Sequence, residues 1–98
     1  MNIKKWPFKD KLDVISITTK GIVEEGKTIL YVTHDKDDGM WQFHDGTILK
    51  EEDARIVSLK EVYELDPSIG NISNIPCGWH AWRDSKDGEW NVCKKESM

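Results

Sequence analysis

Residues 28–44 constrain the fold of this chain more than any other segment. Residues 28–34 (TILYVTH) and 40–44 (MWQFH) are rich in β-branched and aromatic side chains, and the acidic segment 35–39 (DKDDG) separates them. Two such runs around an Asp-Gly turn are typical of a β-hairpin. We therefore expect two antiparallel strands joined by a short acidic loop.

The length of that loop sets which residues face each other across the hairpin. A five-residue loop pairs Tyr31 with Phe43 and Thr33 with Trp41. A three-residue loop over 37–39 shifts each partner by two and leaves the faces unchanged. Both registers predict that one face carries the same four side chains: Ile29, Tyr31, Trp41 and Phe43.

Further strands are indicated on both sides of the hairpin. Residues 12–19 (LDVISITT) are rich in β-branched side chains and predict a strand, and residues 54–57 (ARIV) predict another. Between the first strand and the hairpin, residues 20–27 predict a short connection with one helical turn, which Gly26 ends.

A short helix is predicted after residue 58. Ser58 and Glu61 match a capping box, in which the serine caps the helix and the glutamate reaches back to the serine N–H. Asp66 and Pro67 then fit the N-cap and first position of a second helical turn.

The C-terminal part predicts a second hairpin and completes the fold class. Residues 79–84 and 89–94 flank an Asp-Gly turn. Together the elements indicate an α+β fold, an antiparallel or mixed sheet with two β-hairpins and one or two short helices packed on one face. A length of 98 residues suits one domain, 1–98, with residues 1–11 and 95–98 expected to be flexible or peripheral.

The charge of the chain bears on the kind of partner. Fourteen Lys and Arg against eighteen Asp and Glu leave a net charge of −4, which argues against nucleic acid, because phosphate binding requires a basic surface. From residue 34 to residue 66 there are ten acidic and four basic residues, a net of −6. A charged partner is therefore expected to be basic, and the acidic stretch is expected to meet it.

The chain is expected to be cytoplasmic. Its first eleven residues lack the apolar core of a signal peptide, and no run approaches the roughly 18 apolar residues of a membrane span. Cys77 and Cys93 belong to no CxxC pair, which favours two free thiols in a reducing compartment. A bridge between the two cysteines is the alternative.

The sequence favours neither a calcium site nor a histidine metal site. An EF-hand loop starting at Asp35 needs Gly at its sixth place and Glu at its twelfth, where Met40 and Gly46 stand. His34 and His44 share a face in both hairpin registers. A five-residue loop separates them by about 13 Å, too far to share a metal, and the three-residue loop halves that distance. Two histidines on the surface of the hairpin are the favoured interpretation, and no metal or cofactor is predicted.

A catalytic thiol is not favoured either. Cys77 or Cys93 could meet His80 in space, but residues three apart on an extended segment, such as Cys77 and His80, point to opposite sides. Most of the carboxylate pairs lie in polar connections, and Glu61 is accounted for by the helix cap. The sequence therefore predicts no catalytic residue and no enzyme.

The tryptophans supply the most specific indication of a binding surface. Trp79 and Trp82 are three apart on a predicted strand, so they face opposite sides of the sheet. An exposed Trp beside His80 and Arg83 has the composition of a protein contact. The alternative is that residues 6–8 and the helix cover both sides. With the acidic residues, the candidate partner-binding set is Asp35, Asp37, Asp38, Glu51, Glu52, Trp79, His80, Trp82 and Arg83.

Six segments carry a family resemblance across most of residues 14–84. They are 18–20 (TTK), 29–32 (ILYV), 38–43 (DGMWQF), 54–59 (ARIVSL), 64–69 (ELDPSI) and 76–82 (PCGWHAW). They resemble a family of small, uncharacterised bacterial proteins that is distantly similar to the Imm33-like immunity proteins of polymorphic toxin systems, which share a Gly-Trp-x-Phe block followed by an Asp-Pro-containing helix. In this chain the block has one extra residue between Gly39 and Trp41, and the segment with Trp79 and Trp82 departs from the immunity proteins.

The resemblance implies a bacterial cytoplasmic α+β protein that binds and neutralises a toxin, and it implies no catalytic residues. The leading hypothesis is therefore a non-enzymatic protein-binding module, immunity-like, with a basic partner such as a toxin. A second hypothesis is a ligand-binding or regulatory domain with a pocket lined by Trp41, Tyr31 and Tyr63. A third is a hydrolase or metal enzyme that uses one of the histidines. The sequence predicts no membrane partner, and it does not determine the oligomeric state.

Overall fold

The computed structural model describes residues 6–48 and 50–95, and within them a mixed sheet with short helices. The strands are β1 (Ile15–Thr19), β2 (Tyr31–His34), β3 (Trp41–His44), β4 (Ala54–Ser58), β5 (Trp79–Trp82) and β6 (Asn91–Lys94). The helices are α1 (Lys20–Glu25) and α2 (Leu59–Leu65), with 3-10 helices at Glu51–Asp53 and Pro67–Ile72. The strand order is β4-β1-β3-β2-β5-β6, with β1 parallel to β3 and every other neighbouring pair antiparallel. The predicted α+β class and both hairpins are confirmed.

Polar side chains begin three of the helices. Thr19 accepts a hydrogen bond from the N–H of Ile22 at the start of α1, and Gly26 ends that helix with φ +70°. Ser58 caps α2 by accepting from the N–H of Glu61, as predicted. Among the described residues, no return bond joins the Glu61 carboxylate to Ser58, so only half of the capping box forms.

The predicted cap at residue 66 is also confirmed. Asp66 accepts from the N–H of Ser68 at 3.1 Å, and Pro67 occupies the first turn of the 3-10 helix Pro67–Ile72. The missing N–H of proline costs nothing at that position, because no residue of the helix precedes it to accept a bond.

The hydrophobic core lies on one face of the sheet, the packed face. Trp41 and Phe43 project from β3 into it and are fully buried. Both α-helices and the 3-10 helix Pro67–Ile72 supply its cover through Ile22, Leu59, Val62, Ile69 and Ile72. Burying these large apolar side chains is the main favourable term in the folding of a domain of this size.

The N-terminal segment belongs to the core rather than to the periphery. Phe8 is 5% exposed and meets the Trp41 ring edge-on, with 5.2 Å between ring centroids. Trp6 packs edge-on against Tyr63 at 5.4 Å. Residues 1–5 and 96–98, for which a peripheral position is also predicted, lie outside the described residues, as does Leu49.

The register predicted for the first hairpin is wrong by one residue. Tyr31 faces His44 and His34 faces Trp41. The loop is one residue longer than expected, because the N–H of Asp35 donates to the carbonyl of Met40 at 2.8 Å and closes a six-residue turn. A shift of one residue in pairing moves every side chain of a strand to the other face. Tyr31 therefore lies on the other face of the sheet from Trp41 and Phe43. His34 and His44 likewise lie on opposite faces of the hairpin.

The second face of the sheet, the open face, lies opposite α1, α2 and the 3-10 helix Pro67–Ile72, whose buried residues all pack into the core on the packed face. The strand registers assign it fourteen side chains: Ile15, Ile17, Thr19, Tyr31, Thr33, Gln42, His44, Ala54, Ile56, Ser58, His80, Trp82, Asn91 and Cys93. This face and the edge beside the acidic loop hold Trp82, His80 and the aspartates of the candidate set.

Candidate functional site

An aromatic and histidine cluster occupies the centre of the open face. Tyr31 on β2 lies between His44 on β3 and Trp82 on β5, its partners across the two strand pairs. The Tyr31 hydroxyl and His80 Nδ1 are 2.9 Å apart, within hydrogen-bond distance. The Tyr31 and His44 ring centroids lie 6.0 Å apart, and those of His80 and Trp82 lie 5.2 Å apart. The cluster therefore spans three adjacent strands, β3, β2 and β5.

A chain of hydrogen bonds joins the cluster to the acidic loop. Asp35 Oδ2 accepts from Gln42 Nε2 at 2.7 Å, and Asp35 Oδ1 accepts from the Thr33 hydroxyl at 3.2 Å. Gln42 Oε1 lies 3.1 Å from His44 Nε2. An amide oxygen only accepts, so His44 Nε2 carries the hydrogen in this arrangement. Asp35 is thus held at the edge of the open face rather than extended into solvent.

The electrostatic environment of the open face is negative at both ends of β3. Burial lowers the pKa of His44, and the charges of Asp45 and Asp35 raise it in part, whereas Lys95 acts to lower it. Burial, assisted by the charge of Asp35, raises the pKa of Tyr31. His44 is therefore neutral at pH 7, although two carboxylates lie near it.

Asp45 remains an anion under the same conditions. Burial acts to raise its pKa, but hydrogen bonds from the hydroxyl and N–H of Thr47, together with the charge of Lys27, lower that pKa overall. Asp35 and Asp45 thus lie at the two ends of β3, and the charges of both act on His44.

Large apolar side chains on the open face remain in solvent. Ile56 is 69% exposed, Ile15 is 52% exposed and Trp82 is 38% exposed. Ile15 and Ile56 lie on β1 and β4, while Trp82 lies on β5. Exposed apolar side chains beside aromatic and polar groups are characteristic of protein interfaces, where Trp and Tyr contribute most of the binding energy.

The acidic candidates do not form one surface. Asp35, Asp37 and Asp38 lie in the loop before β3, whereas Glu51 and Glu52 lie in the 3-10 helix before β4. The start of β4 pairs with the C-terminal end of β1, and β1 runs parallel to β3. The two groups therefore lie at opposite ends of the sheet, and a single acidic face from residue 34 to residue 66 does not exist.

The prediction for the tryptophan pair is confirmed, and that for Arg83 is wrong. Trp82 lies on the open face, and Trp79 packs against the core on the other side. Arg83 is only 4% exposed and donates to the carbonyl of Ile29 and the carboxylate of Asp66, at 3.0 and 2.7 Å. Successive side chains of an extended segment point to opposite faces, so Arg83, which follows Trp82, points into the packed face. It cannot contact a partner there.

A cysteine and histidine pair that the sequence does not reveal lies at the edge of the packed face. Cys77 Sγ is 3.6 Å from Nε2 of His34, and both cysteines of the chain carry free thiols. The sequence left a contact of either thiol with His80 open but did not favour it. In the structure His80 Nδ1 contacts the Tyr31 hydroxyl, and Cys93 is the neighbour of His80 across the β5–β6 pair. Only the correct hairpin register places His34 on the side of the sheet that Cys77 approaches, so residue spacing alone could not indicate the pair.

An open groove of about 860 Å³ adjoins this pair. Besides His34 and Cys77, its lining includes three carboxylates and three lysines: Asp35, Asp37, Asp38, Lys36, Lys94 and Lys95. This volume lies within the roughly 300–1,000 Å³ typical of small-molecule sites.

Neither the aromatic pocket of the second hypothesis nor the metal site of the third is assembled among the described residues. Trp41, Tyr31 and Tyr63 do not line a pocket, because Trp41 is fully buried and Tyr31 lies on the opposite face. Within residues 6–48 and 50–95, no three His, Cys, Asp or Glu side chains converge in a geometry that could hold a metal ion.

No family model, curated protein or solved structure matches this chain. None of the described helices has the length and apolar character needed to cross a membrane.

Proposed function

We propose that this chain is a non-enzymatic protein-binding module that docks a basic protein partner on its open face. The observation that carries the proposal is the exposure of Ile15, Ile56 and Trp82 on the sheet face opposite the helices that form the core. Water contact with such side chains is unfavourable, and a partner that covers them gains the corresponding free energy. Tyr31 and Trp82 supply the rigid aromatic surface that binding hot spots favour.

Charge complementarity supports a basic partner. The chain carries a net charge of −4, and Asp35 and Asp45 lie at the two ends of β3, close enough to act on His44. Hydrogen bonds from Thr33 and Gln42 already hold the Asp35 side chain in one orientation. Binding a cation therefore costs little additional side-chain entropy. Basic side chains flanking an apolar centre on the partner fit this arrangement.

The immunity-like form of this function gives the partner a biological class. In it, the chain is a bacterial cytoplasmic protein and the basic partner is a toxin that it neutralises, as the resemblance to Imm33-like proteins implies. The free thiols of Cys77 and Cys93 support a reducing compartment. The binding proposal itself rests on the open face and does not require that the partner be a toxin.

The test compares substitutions of exposed apolar residues on the two sides of the molecule. Ile56→Ser and Trp82→Ser alter the open face, while Leu65→Ser in α2 (50% exposed) and Val92→Ser in β6 (43% exposed) are matched controls away from it. A partner is captured from the native cell by cross-linking, purified, and titrated calorimetrically against each variant. We expect Trp82→Ser to weaken binding by about thirtyfold, equivalent to about 2 kcal/mol, and both controls to retain the affinity.

The outcomes that contradict the proposal are specific. Equal affinity of all four variants places the interface elsewhere. A dimer in sedimentation that Trp82→Ser dissociates identifies a second copy of the chain as the occupant and excludes a basic partner on this face. Affinity for the purified partner that does not fall as salt rises contradicts the charge argument, because exposed ion pairs are screened by salt.

A further inference from the structure

We propose that Cys77 is a reactive thiol that undergoes exchange with small, charged disulfides, with His34 as its proton acceptor. The site lies in the groove at the edge of the packed face and does not depend on the open face or on the binding function proposed above. Neither thiol is buried, so a small reagent reaches both.

The histidine is held in the tautomer that this chemistry requires. His34 Nδ1 lies 2.9 Å from the carbonyl oxygen of Ile75, which only accepts hydrogen bonds, so Nδ1 carries the hydrogen. Nε2 therefore presents its lone pair toward Cys77 Sγ, at 3.6 Å. A main-chain carbonyl here performs the orienting role of the third group in catalytic thiol and hydroxyl sites.

Packing fixes the imidazole ring as well. The His34 ring stacks on the Trp41 ring with 4.0 Å between centroids and an angle of 10° between the planes. Trp41 is fully buried and donates to the carboxylate of Asp10, so its own position is determined by the core. The ring cannot turn away from Cys77 without leaving that stack and the bond to Ile75.

The groove beside the thiol indicates the class of disulfide. The loop before β3 contributes acidic and basic side chains together, Asp37 and Asp38 with Lys36, and Lys94 and Lys95 come from the end of β6 and the residue after it. A molecule that carries both amino and carboxylate groups finds groups of opposite charge for both in this lining. Glutathione disulfide has this composition, and it is the probe that the site predicts.

The exchange is balanced in atoms and electrons. The Cys77 thiol transfers its proton to His34 Nε2, and the thiolate attacks one sulfur of the small disulfide. The new bond joins Cys77 Sγ to that sulfur, the original disulfide bond breaks, and the leaving thiolate takes the proton from His34. Cys77 is oxidised to a mixed disulfide, and the small disulfide is the oxidant.

Cys93 provides a comparison within the same chain. It is also free and exposed, but its Sγ contacts the main-chain carbonyl of Lys94 at 3.5 Å rather than an imidazole nitrogen. Cys93→Ser leaves only Cys77, and Cys77→Ser leaves only Cys93. Each folded variant is incubated with glutathione disulfide at neutral pH, and formation of the mixed disulfide is followed by intact mass.

We expect Cys77 to react faster than Cys93 by about tenfold or more. Cys93 is the neighbour of His80 across the β5–β6 pair, but its sulfur contacts a carbonyl oxygen, whereas the sulfur of Cys77 contacts the free ring nitrogen of His34. His34→Gln in the Cys93→Ser background should remove this advantage. Lys94→Gln with Lys95→Gln should slow the reaction of Cys77 with glutathione disulfide and leave its reaction with uncharged hydroxyethyl disulfide unchanged.

Equal rates for the two thiols would overturn the proposal, and that comparison does not depend on whether the His34 variant folds. A rate for Cys77 that His34→Gln leaves unchanged in a folded protein would remove the role of the imidazole. Equal effects of the lysine changes on both disulfides would remove the groove as the recognition element. None of these results bears on partner binding at Trp82, so the two proposals fail separately.

Discussion

His44 is the residue through which pH acts on the open face. Its ring lies between Tyr31 and the Gln42 amide, with Nε2 bound to the amide oxygen. Burial lowers its pKa below the ordinary value of 6.5, although Asp45 and Asp35 act in the opposite direction. The folded chain therefore takes up a proton at this ring less readily than the unfolded chain does.

This difference predicts a loss of stability on mild acidification. Below about pH 6.5 the unfolded state binds the proton first, so the contribution of His44 to the free energy of unfolding is complete above that pH and declines as pH falls toward the folded pKa. Urea unfolding of wild type and His44→Gln at about pH 7, 6 and 5 measures the effect. The wild type should lose stability relative to the variant as pH falls, and parallel curves would contradict the assignment.

Between elements, Arg83 is the main polar connection from the sheet to the 3-10 helix Pro67–Ile72. Its guanidinium binds the Asp66 carboxylate and the Ser68 hydroxyl, at 2.7 and 2.8 Å, and lies 4.2 Å from the centre of the Trp90 ring. The Nε atom donates to the carbonyl of Ile29 ahead of β2. A single side chain thereby joins the segment after β5, the approach to β2 and the cap of the helix.

Removing this connection is expected to destabilise the fold strongly. Arg83→Met leaves the partly buried Asp66 carboxylate without its cation, and breaking a buried pair costs about 3–5 kcal/mol. The matched control is Arg55→Met, which breaks an exposed ion pair with Glu24 and is expected to cost less than about 1 kcal/mol. Urea unfolding measures both variants, and similar losses for the two arginines would contradict the structural role of Arg83.

At the same scale, helix caps and the alternating faces of a single strand can be predicted from the sequence, whereas the register between two strands cannot. Ser58 and Asp66 were identified as helix caps because a cap depends only on side chains within a few residues of it. Trp79 and Trp82 were assigned to opposite faces because alternation is a property of one strand. The register of the first hairpin depends on which carbonyl accepts from Asp35, and neither the acidic composition of the loop nor its glycine specifies that bond.

For the molecule as a whole, the sheet order accounts for the sites that spacing could not reveal. β3 pairs with β1 in parallel and β2 pairs with β5, so the central strands are neighbours of segments far away in the sequence. The open face and the contact between His34 and Cys77 both arise from this order. The order of the predicted elements indicates a sheet with short helices on one face, but the order of the six strands within the sheet depends on contacts that periodicity does not encode.

Closure of the core by the N-terminal segment leads to a prediction for the stability of the whole domain. Phe8 fills the end of the packed face against Trp41, so Phe8→Ala leaves a cavity and is expected to cost about 3–5 kcal/mol, a large share of the roughly 5–15 kcal/mol of a domain. Phe8→Leu, which keeps most of the volume, should cost less, and Lys9→Ala at the exposed neighbouring residue should change stability by less than about 0.5 kcal/mol. Urea unfolding followed by tryptophan fluorescence measures all three. Equal stability of Phe8→Ala and Lys9→Ala would place this segment outside the cooperative core. A loss of stability that is largest for Phe8→Ala, smaller for Phe8→Leu and smallest for Lys9→Ala makes the segment part of the folding unit that supports both the open face and the Cys77 groove.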